Sequence, residues 1–342
     1  MVKAMIGITA YPNADRTLIH EAGIRWIRMD FPFPFSDRLY GRVSEGYREA
    51  RVLAERWAGA GFDVMGITPG AGEGEYQRDA SGIIREVWQR YVPEWCGPLG
   101  SPQYLRYYRA ACAWMAQDLR GLVSAWQIGN ELDIPQFAGP LTLRQACELI
   151  RHVAEDLKTV DPSLLVGFNT AGPTGGDTFL YGRLFAEGSF PLDYCGTDGY
   201  FGTWHPGGPD TWAQRISFLS ESTGAPVLIN EWGFSSAGEV MSPKEPGSDA
   251  VECQLRKWRY GWGSGHNSHG QGEFVRAAFE AFVSQRSKLL GVFFYRWEDE
   301  DRCAVCHSPD CPIESAWGLV DAHGKPKPAH FAFQEGVKNL NG

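Results

Sequence analysis

No stretch of this sequence is apolar for long enough to cross a bilayer, which takes about 20 residues. Its opening, MVKAMIGITAYP, lacks the basic lead and the apolar stretch of about 7 to 15 residues that mark a secretory leader. The expectation is a cytoplasmic protein that makes no use of a membrane, or a secreted one if a leader has been trimmed. Positive charge is also short: 32 Lys and Arg stand against 41 Asp and Glu, a formal net charge of -9, with no basic run. Nucleic acids and anionic membrane surfaces select basic patches, so neither is expected as a partner, and a neutral or cationic ligand suits the chain better. No tract reads as a flexible linker, which makes residues 1–342 a single domain. Of the eight cysteines, Cys96, Cys112, Cys147, Cys195 and Cys253 are scattered like small buried hydrophobes and speak for a reducing compartment.

What the chain does have is apolar content of 43% over 342 residues, enough for a large core. It also has 13 Trp, a high count that suits a cleft stacking sugar-like ligands as well as a core. Eight short apolar runs end in Gly, Pro, Asn or an acid: residues 4–12, 24–33, 63–70, 124–131, 164–172, 193–202, 226–233 and 289–299. Between them lie segments of helical periodicity such as 47–60, 141–160 and 272–289, with apolar residues at i, i+3, i+4 and i+7. Strand then helix, eight times over, predicts a (β/α)8 TIM barrel with parallel strands. Long segments follow the third strand (70–103) and the seventh (235–272). They fall on the C-terminal face, where such barrels carry their sites.

Two acids stand at that rim. The run SAWQIGNE puts Glu131 at the end of the fourth strand, and PVLINEWG puts Glu231 at the end of the seventh. A retaining glycosidase needs two carboxyls about 5 to 5.5 Å apart, one to protonate the leaving oxygen and one to attack the anomeric carbon. One strand-end Glu would more simply be a salt-bridge partner or a solvated loop residue, whereas two such residues on one closed sheet can face each other.

GNE after the fourth strand, NEWG at the seventh, GTDGYFGTW at the sixth and FFYRWED at the eighth resemble the clan A retaining glycoside hydrolases, most of all family 5 and its neighbours. The resemblance implies that Glu131 is the acid/base and Glu231 the nucleophile. It gives Asn130 to the sugar 2-hydroxyl, Arg28 and Tyr200 to Glu231, and Trp297 to the floor under the sugar. A cis peptide between Trp297 and Glu298 would shape that floor, with Trp204 or Trp232 as the substitute platforms. Asp30, Asn169, Trp204 and His205 complete the substrate-binding candidates. The sixth strand departs from the family in having no His-x-Tyr arrangement, since His205 follows Tyr200 and Trp204. Asp198 and Tyr200, two apart, share a face of that strand.

The activity so implied is hydrolysis of a β-linked glucan, mannan or related oligosaccharide, with no cofactor for catalysis. A carbohydrate-binding barrel without catalysis and a transglycosylase are the alternatives. A metal-dependent hydrolase would want His-x-His on the first strand, which AMIGITAYP lacks.

The remaining cysteines crowd into CAVCHSPDC, where Cys303, Cys306 and Cys311, with His307, have the spacing of a zinc knuckle. His266 or His269 from the seventh loop could replace His307. A disulfide with one spare thiol, or three free thiols, are the other readings, and in each bonded case the role is to brace a loop.

Overall fold

The computed structural model describes residues 3–186, 191–242 and 252–342. Eight parallel strands form one sheet: β1 (Met5–Ile8), β2 (Trp26–Asp30), β3 (Asp63–Ile67), β4 (Ala125–Gln127), β5 (Leu165–Gly167), β6 (Cys195–Gly199), β7 (Val227–Trp232) and β8 (Leu289–Phe294). They lie in the order β5-β4-β3-β2-β1-β8-β7-β6. Single bonds draw β5 and β6 together where a ladder is missing: the Asp193 amide donates to the Val166 carbonyl at 2.8 Å, and the Asp198 amide to the Thr170 carbonyl at 2.8 Å. The result is the expected (β/α)8 barrel, nearly closed.

Each strand feeds a helix: α1 (Arg16–Glu21), α2 (Glu45–Gly59), α3 (Pro102–Asp118), α4 (Leu143–Val160), α5 (Gly176–Ala186), α6 (Thr211–Thr223), α7 (Ser268–Ser284) and α8 (Pro328–Asn341). Local chemistry sets their starts. Asp15, Ser44, Ser101, Thr142 and Asn267 each accept a backbone N–H of the first turn, and Thr142 with Gln145 makes a reciprocal capping box. In α4 the buried face is Ala146, Leu149, Ile150, Val153, Ala154 and Leu157, the stripe that the periodicity predicts. Among the described residues, no helix is long and apolar enough to cross a membrane.

The barrel interior divides by height. Its lower part is an apolar plug of Met5, Met65, Ala125, Tyr194, Leu228 and Phe293. Gly7 is required there, because a Cβ would lie 2.2 Å from the Phe293 ring. Above the plug the interior turns polar, with Arg28, Gln127, Asn169, Asp198 and Asn230 all buried. An irregularity in β7 places two successive side chains on the inner face. Thr197 pairs with Ile229 and Asp198 with Glu231, so Asn230 is an extra residue and both it and Glu231 reach inward.

The two long loops sit over the C-terminal rim. The first forms an antiparallel hairpin, Gly72–Arg78 with Ile84–Arg90, followed by a 3-10 turn at Glu94–Cys96. The second contributes Glu239–Val240 and Lys257–Trp258 as a two-stranded pair and the short helix Glu252–Leu255. Its residues 243–251 lie outside the described residues. Ile84, Tyr200, Cys253, Trp258, Cys303, Cys311, Ile313 and Trp317 form a second hydrophobic cluster above the rim, joining the hairpin to the loops after β6, β7 and β8.

Candidate active site

Arg28 is the hub of the rim. Only 4% exposed, it donates from Nη1 to Glu231 Oε1 at 2.6 Å, from Nε to Gln127 Oε1 at 2.8 Å and from Nη2 to Asn130 Oδ1 at 2.9 Å. Burial opposes its charge, but Glu231 and Asp198 outweigh burial and hold its pKa above the ordinary value. Asn130 Oδ1 also receives Asn169 Nδ2 at 2.9 Å and Gln127 Nε2 at 3.2 Å, so its Nδ2 is the end left for the cavity that Asn130 lines. The Tyr200 hydroxyl donates to the other carboxylate oxygen of Glu231, Oε2. Burial first, then the Glu231 charge, raise the Tyr200 pKa well above its ordinary value, which keeps that hydroxyl a neutral donor.

Glu131 lies just past β4 at φ +44°, a left-handed conformation that a Glu rarely adopts without support. Asn169 supplies it: its Oδ1 accepts the Glu131 amide at 3.0 Å. The preceding turn is fastened by the Gly129 amide to Thr68 Oγ1 at 2.9 Å and by the Ile128 amide to the Gly167 carbonyl at 2.8 Å. Burial, then the charge of Glu231, push the Glu131 carboxyl up to about 8. Its other close partner is Asp198, wholly buried, with Oδ2 on Asn169 Nδ2 at 2.5 Å and Oδ1 without a nitrogen or hydroxyl partner. Burial and the charges of Glu231 and Glu131 raise Asp198 well above the carboxylate range, and Asp198 and Glu131 are in side-chain hydrogen-bond contact. Glu231 is thus the carboxyl in direct contact with the cation, while Glu131 and Asp198, not paired with it, are shifted upward.

These groups open into a cavity of about 1040 Å³ lined by Asp30, Glu73, Tyr76, Asn130, Glu131, Trp204, His205, Glu231, Tyr295 and Glu314, among others. The structure therefore brings Arg28, Asp30, Asn130, Glu131, Tyr200, Trp204, His205 and Glu231 to one place. His205 Nδ1 accepts the Tyr200 amide at 3.2 Å, which leaves its proton on Nε2. Burial, then Arg215, bring its pKa down to about 4, so it is neutral.

Several expectations need correction. Trp297 is not the sugar platform: it is 1% exposed, outside the cavity lining, and packs edge-on to His330 of α8. β8 ends at Phe294, and the Trp297 amide then donates to the Thr9 carbonyl at 2.9 Å, which carries the ring into the layer under α8. The cis peptide lies between Tyr295 and Arg296, not between Trp297 and Glu298. Trp232 is no substitute, being enclosed by Phe279, Phe282 and Phe294. The aromatic residues on the cavity wall include Trp204 and Tyr295, Tyr76 of the hairpin and Tyr91 just after it, besides Phe31, Phe33, Phe137 and Tyr200. Asn169 is 1% exposed and outside the lining; it holds Asn130, Glu131 and Asp198 in position and does not meet a ligand.

His307 does not join the cysteines. It is exposed, at φ +57°, while Cys253 comes in as the fourth member of a cluster with Cys303, Cys306 and Cys311. His266 bonds to the Ser235 and Tyr260 carbonyls, and His269 pairs with Glu273, so neither closes the cluster.

Sequence reasoning also passed over Gln127, Asn230, Tyr295 and Glu314. The signal for the first two was a lone amide side chain inside an apolar strand, a group that has to find partners when buried. Asn230 Nδ2 meets Gln127 Oε1 at 2.8 Å, and Gln127 passes the contact on to Arg28 and Asn169.

No protein-family model matches the chain, and no curated protein matches it in sequence. Solved structures do match in shape. A xylanase from Cellvibrio japonicus, a thermostable mutant, superposes at a TM-score of 0.66 with 16% identity, over 100% of this chain and 99% of that one. A family 39 glycoside hydrolase from Bacteroides cellulosilyticus WH2 gives 0.65 with 16% identity, over 99% of this chain. The chain spans 64% of that protein's length. The GH53 catalytic domain of Ignisphaera aggregans gives 0.61 with 18% identity, over 97% of this chain and 96% of that domain. The chain shares the (β/α)8 barrel fold of these glycoside hydrolase structures. Within that barrel, the polar rim described above occupies the C-terminal ends of β2, β4, β6 and β7, where barrels of this kind place their chemistry.

Proposed function

We propose that the chain is a single-domain retaining β-glycoside hydrolase acting on a β-linked glucan, mannan or related oligosaccharide. The observation that carries this reading is the unequal treatment of two acids on one rim: Glu131 is pushed up to about 8, while Glu231 is paired with Arg28 and accepts the Tyr200 hydroxyl. Two carboxyls whose environments differ in this way divide the work of acid and nucleophile.

In the first step Glu231 attacks the anomeric carbon as Glu131 gives its proton to the departing glycosidic oxygen, and the C–O bond breaks to leave a glycosyl ester on Glu231. In the second, Glu131, now a carboxylate, takes a proton from water, whose oxygen displaces Glu231. Two inversions give net retention. Asn130 Nδ2 is the donor for the sugar 2-hydroxyl, and Trp204 and Tyr295 offer the ring surfaces. The cavity, at the upper end of the range of about 300–1,000 Å³ for small-molecule sites, has room for more than one sugar. The carboxyl oxygens of the two Glu are expected about 5 to 5.5 Å apart. Proton NMR of the anomeric region during hydrolysis is expected to show the β-anomer first; an α-anomer as first product would sink the mechanism.

Asp198 is the hydrogen-bond neighbour of Glu131 and draws its pKa down, against the larger effects of burial and of Glu231. In Asp198→Asn the Oδ1 atom can keep the Asn169 contact while Nδ2 donates to Glu131, which favours the Glu131 carboxylate. A raised pKa keeps Glu131 protonated as pH climbs towards 8, so lowering it brings the alkaline fall in kcat/KM to lower pH. The pH profile of the variant checks this, and an unmoved alkaline limb would remove Asp198 from the proton balance.

A further inference from the structure

We propose that Cys253, Cys303, Cys306 and Cys311 bind one zinc ion in a four-thiolate site that forms part of the wall of the cleft. The sulfurs of these four residues all lie within 4.8 Å of one another, and Cys253 Sγ stands 3.8 Å from Cys303 Sγ. A tetrahedral zinc with Zn–S bonds of about 2.3 Å has S···S edges of about 3.8 Å. A disulfide would need its sulfurs at about 2.05 Å, and all eight cysteines of the chain are thiols here.

The backbone is shaped for the same purpose. Cys303 and Cys306 form a tight knuckle: the His307 amide donates to the Cys303 carbonyl at 2.9 Å, the Cys303 amide donates to the Ser308 carbonyl at 3.0 Å, and His307 takes the left-handed conformation that ends the turn.

The ligands come from two loops, Cys253 from the short helix after β7 and the others from the segment after β8, 50 residues further on. Cys253, Val305 and Glu314 also line the cavity. One ion therefore fastens the β7 and β8 loops into a single wall facing Glu231. Catalysis by carboxylates does not call on it, so the inference stands whether or not the chain is a glycosidase.

Metal analysis of protein produced with added zinc is expected to find about one zinc per chain. Native mass spectrometry should show the ion released on denaturation. Each of Cys253→Ser, Cys303→Ser, Cys306→Ser and Cys311→Ser should lose it, while His307→Ala and Cys147→Ser should retain it. Should the cysteine variants fail to fold, cobalt substitution of the unaltered chain decides the matter: thiolate-to-cobalt charge-transfer bands and intense tetrahedral ligand-field bands support the site. Stripping the metal is expected to lower the melting temperature. Metal-free protein, iron in place of zinc, zinc retained in Cys253→Ser, an unchanged melting curve after stripping, or a disulfide found by mass spectrometry of the alkylated chain would each overturn the proposal.

Discussion

Glu231→Gln is expected to lower turnover on every β-glycoside by about 10⁴ or more, the scale on which removal of a covalent nucleophile acts and equivalent to about 5.5 kcal/mol of barrier. Gln keeps the shape of Glu, and its single amide oxygen can still accept from Arg28 while its NH2 group turns to the Tyr200 hydroxyl, which can accept from it, so the loss isolates the missing carboxylate. An amide oxygen does not form the glycosyl ester that the first step requires. The substitution also leaves Arg28, 4% exposed, without its counter-ion. Removing one partner of a buried ion pair is destabilising, so the variant should melt at a lower temperature and its activity has to be expressed per folded molecule, with circular dichroism as the control. Wild-type rates in a folded Glu231→Gln protein would remove Glu231 as nucleophile and return it to the role of a structural partner for Arg28.

The barrel and its two acids were legible because both rest on local pattern. Eight apolar runs alternating with amphipathic segments fix the architecture, and residues that end strands on a parallel barrel must share a rim. What was not legible depends on where the regular period stops. Beyond Phe294 the alternation of a strand no longer tells which aromatic faces the cleft, and Tyr295 holds the place expected of Trp297. In β7 an extra residue puts Asn230 and Glu231 both inward, against a period of two. Asn169 reads as a ligand contact from its position at the end of β5, yet its amide is spent on Asn130, Glu131 and Asp198. Cys253, 50 residues before Cys303, shares no spacing motif with the other thiols, and only the meeting of two loops reveals it.

Glu131→Ala is expected to divide substrates by their leaving groups. General acid assistance contributes about 10² to 10⁴ in rate, and a sugar alkoxide needs all of it, so natural oligosaccharides should lose about that much. A nitrophenolate leaves without a proton, so the first step on an activated aryl glycoside should stay near its wild-type rate. The second step still needs a base to activate water and should slow sharply. The glycosyl ester on Glu231 is then expected to accumulate, visible as one added sugar in the intact mass of the protein. Azide needs no base and can reach the space left by the side chain, so it should restore turnover and give the β-glycosyl azide. The pH profile should change as well. With Glu131 pushed up to about 8, the unaltered protein is expected to lose kcat/KM as pH rises through that value, because the acid deprotonates. In the alanine variant that alkaline limb should be gone for activated substrates. Equal losses on activated and natural substrates, no covalent adduct, and no response to azide would together place the acid/base elsewhere, with Asp198 as the nearest buried carboxyl to take its part.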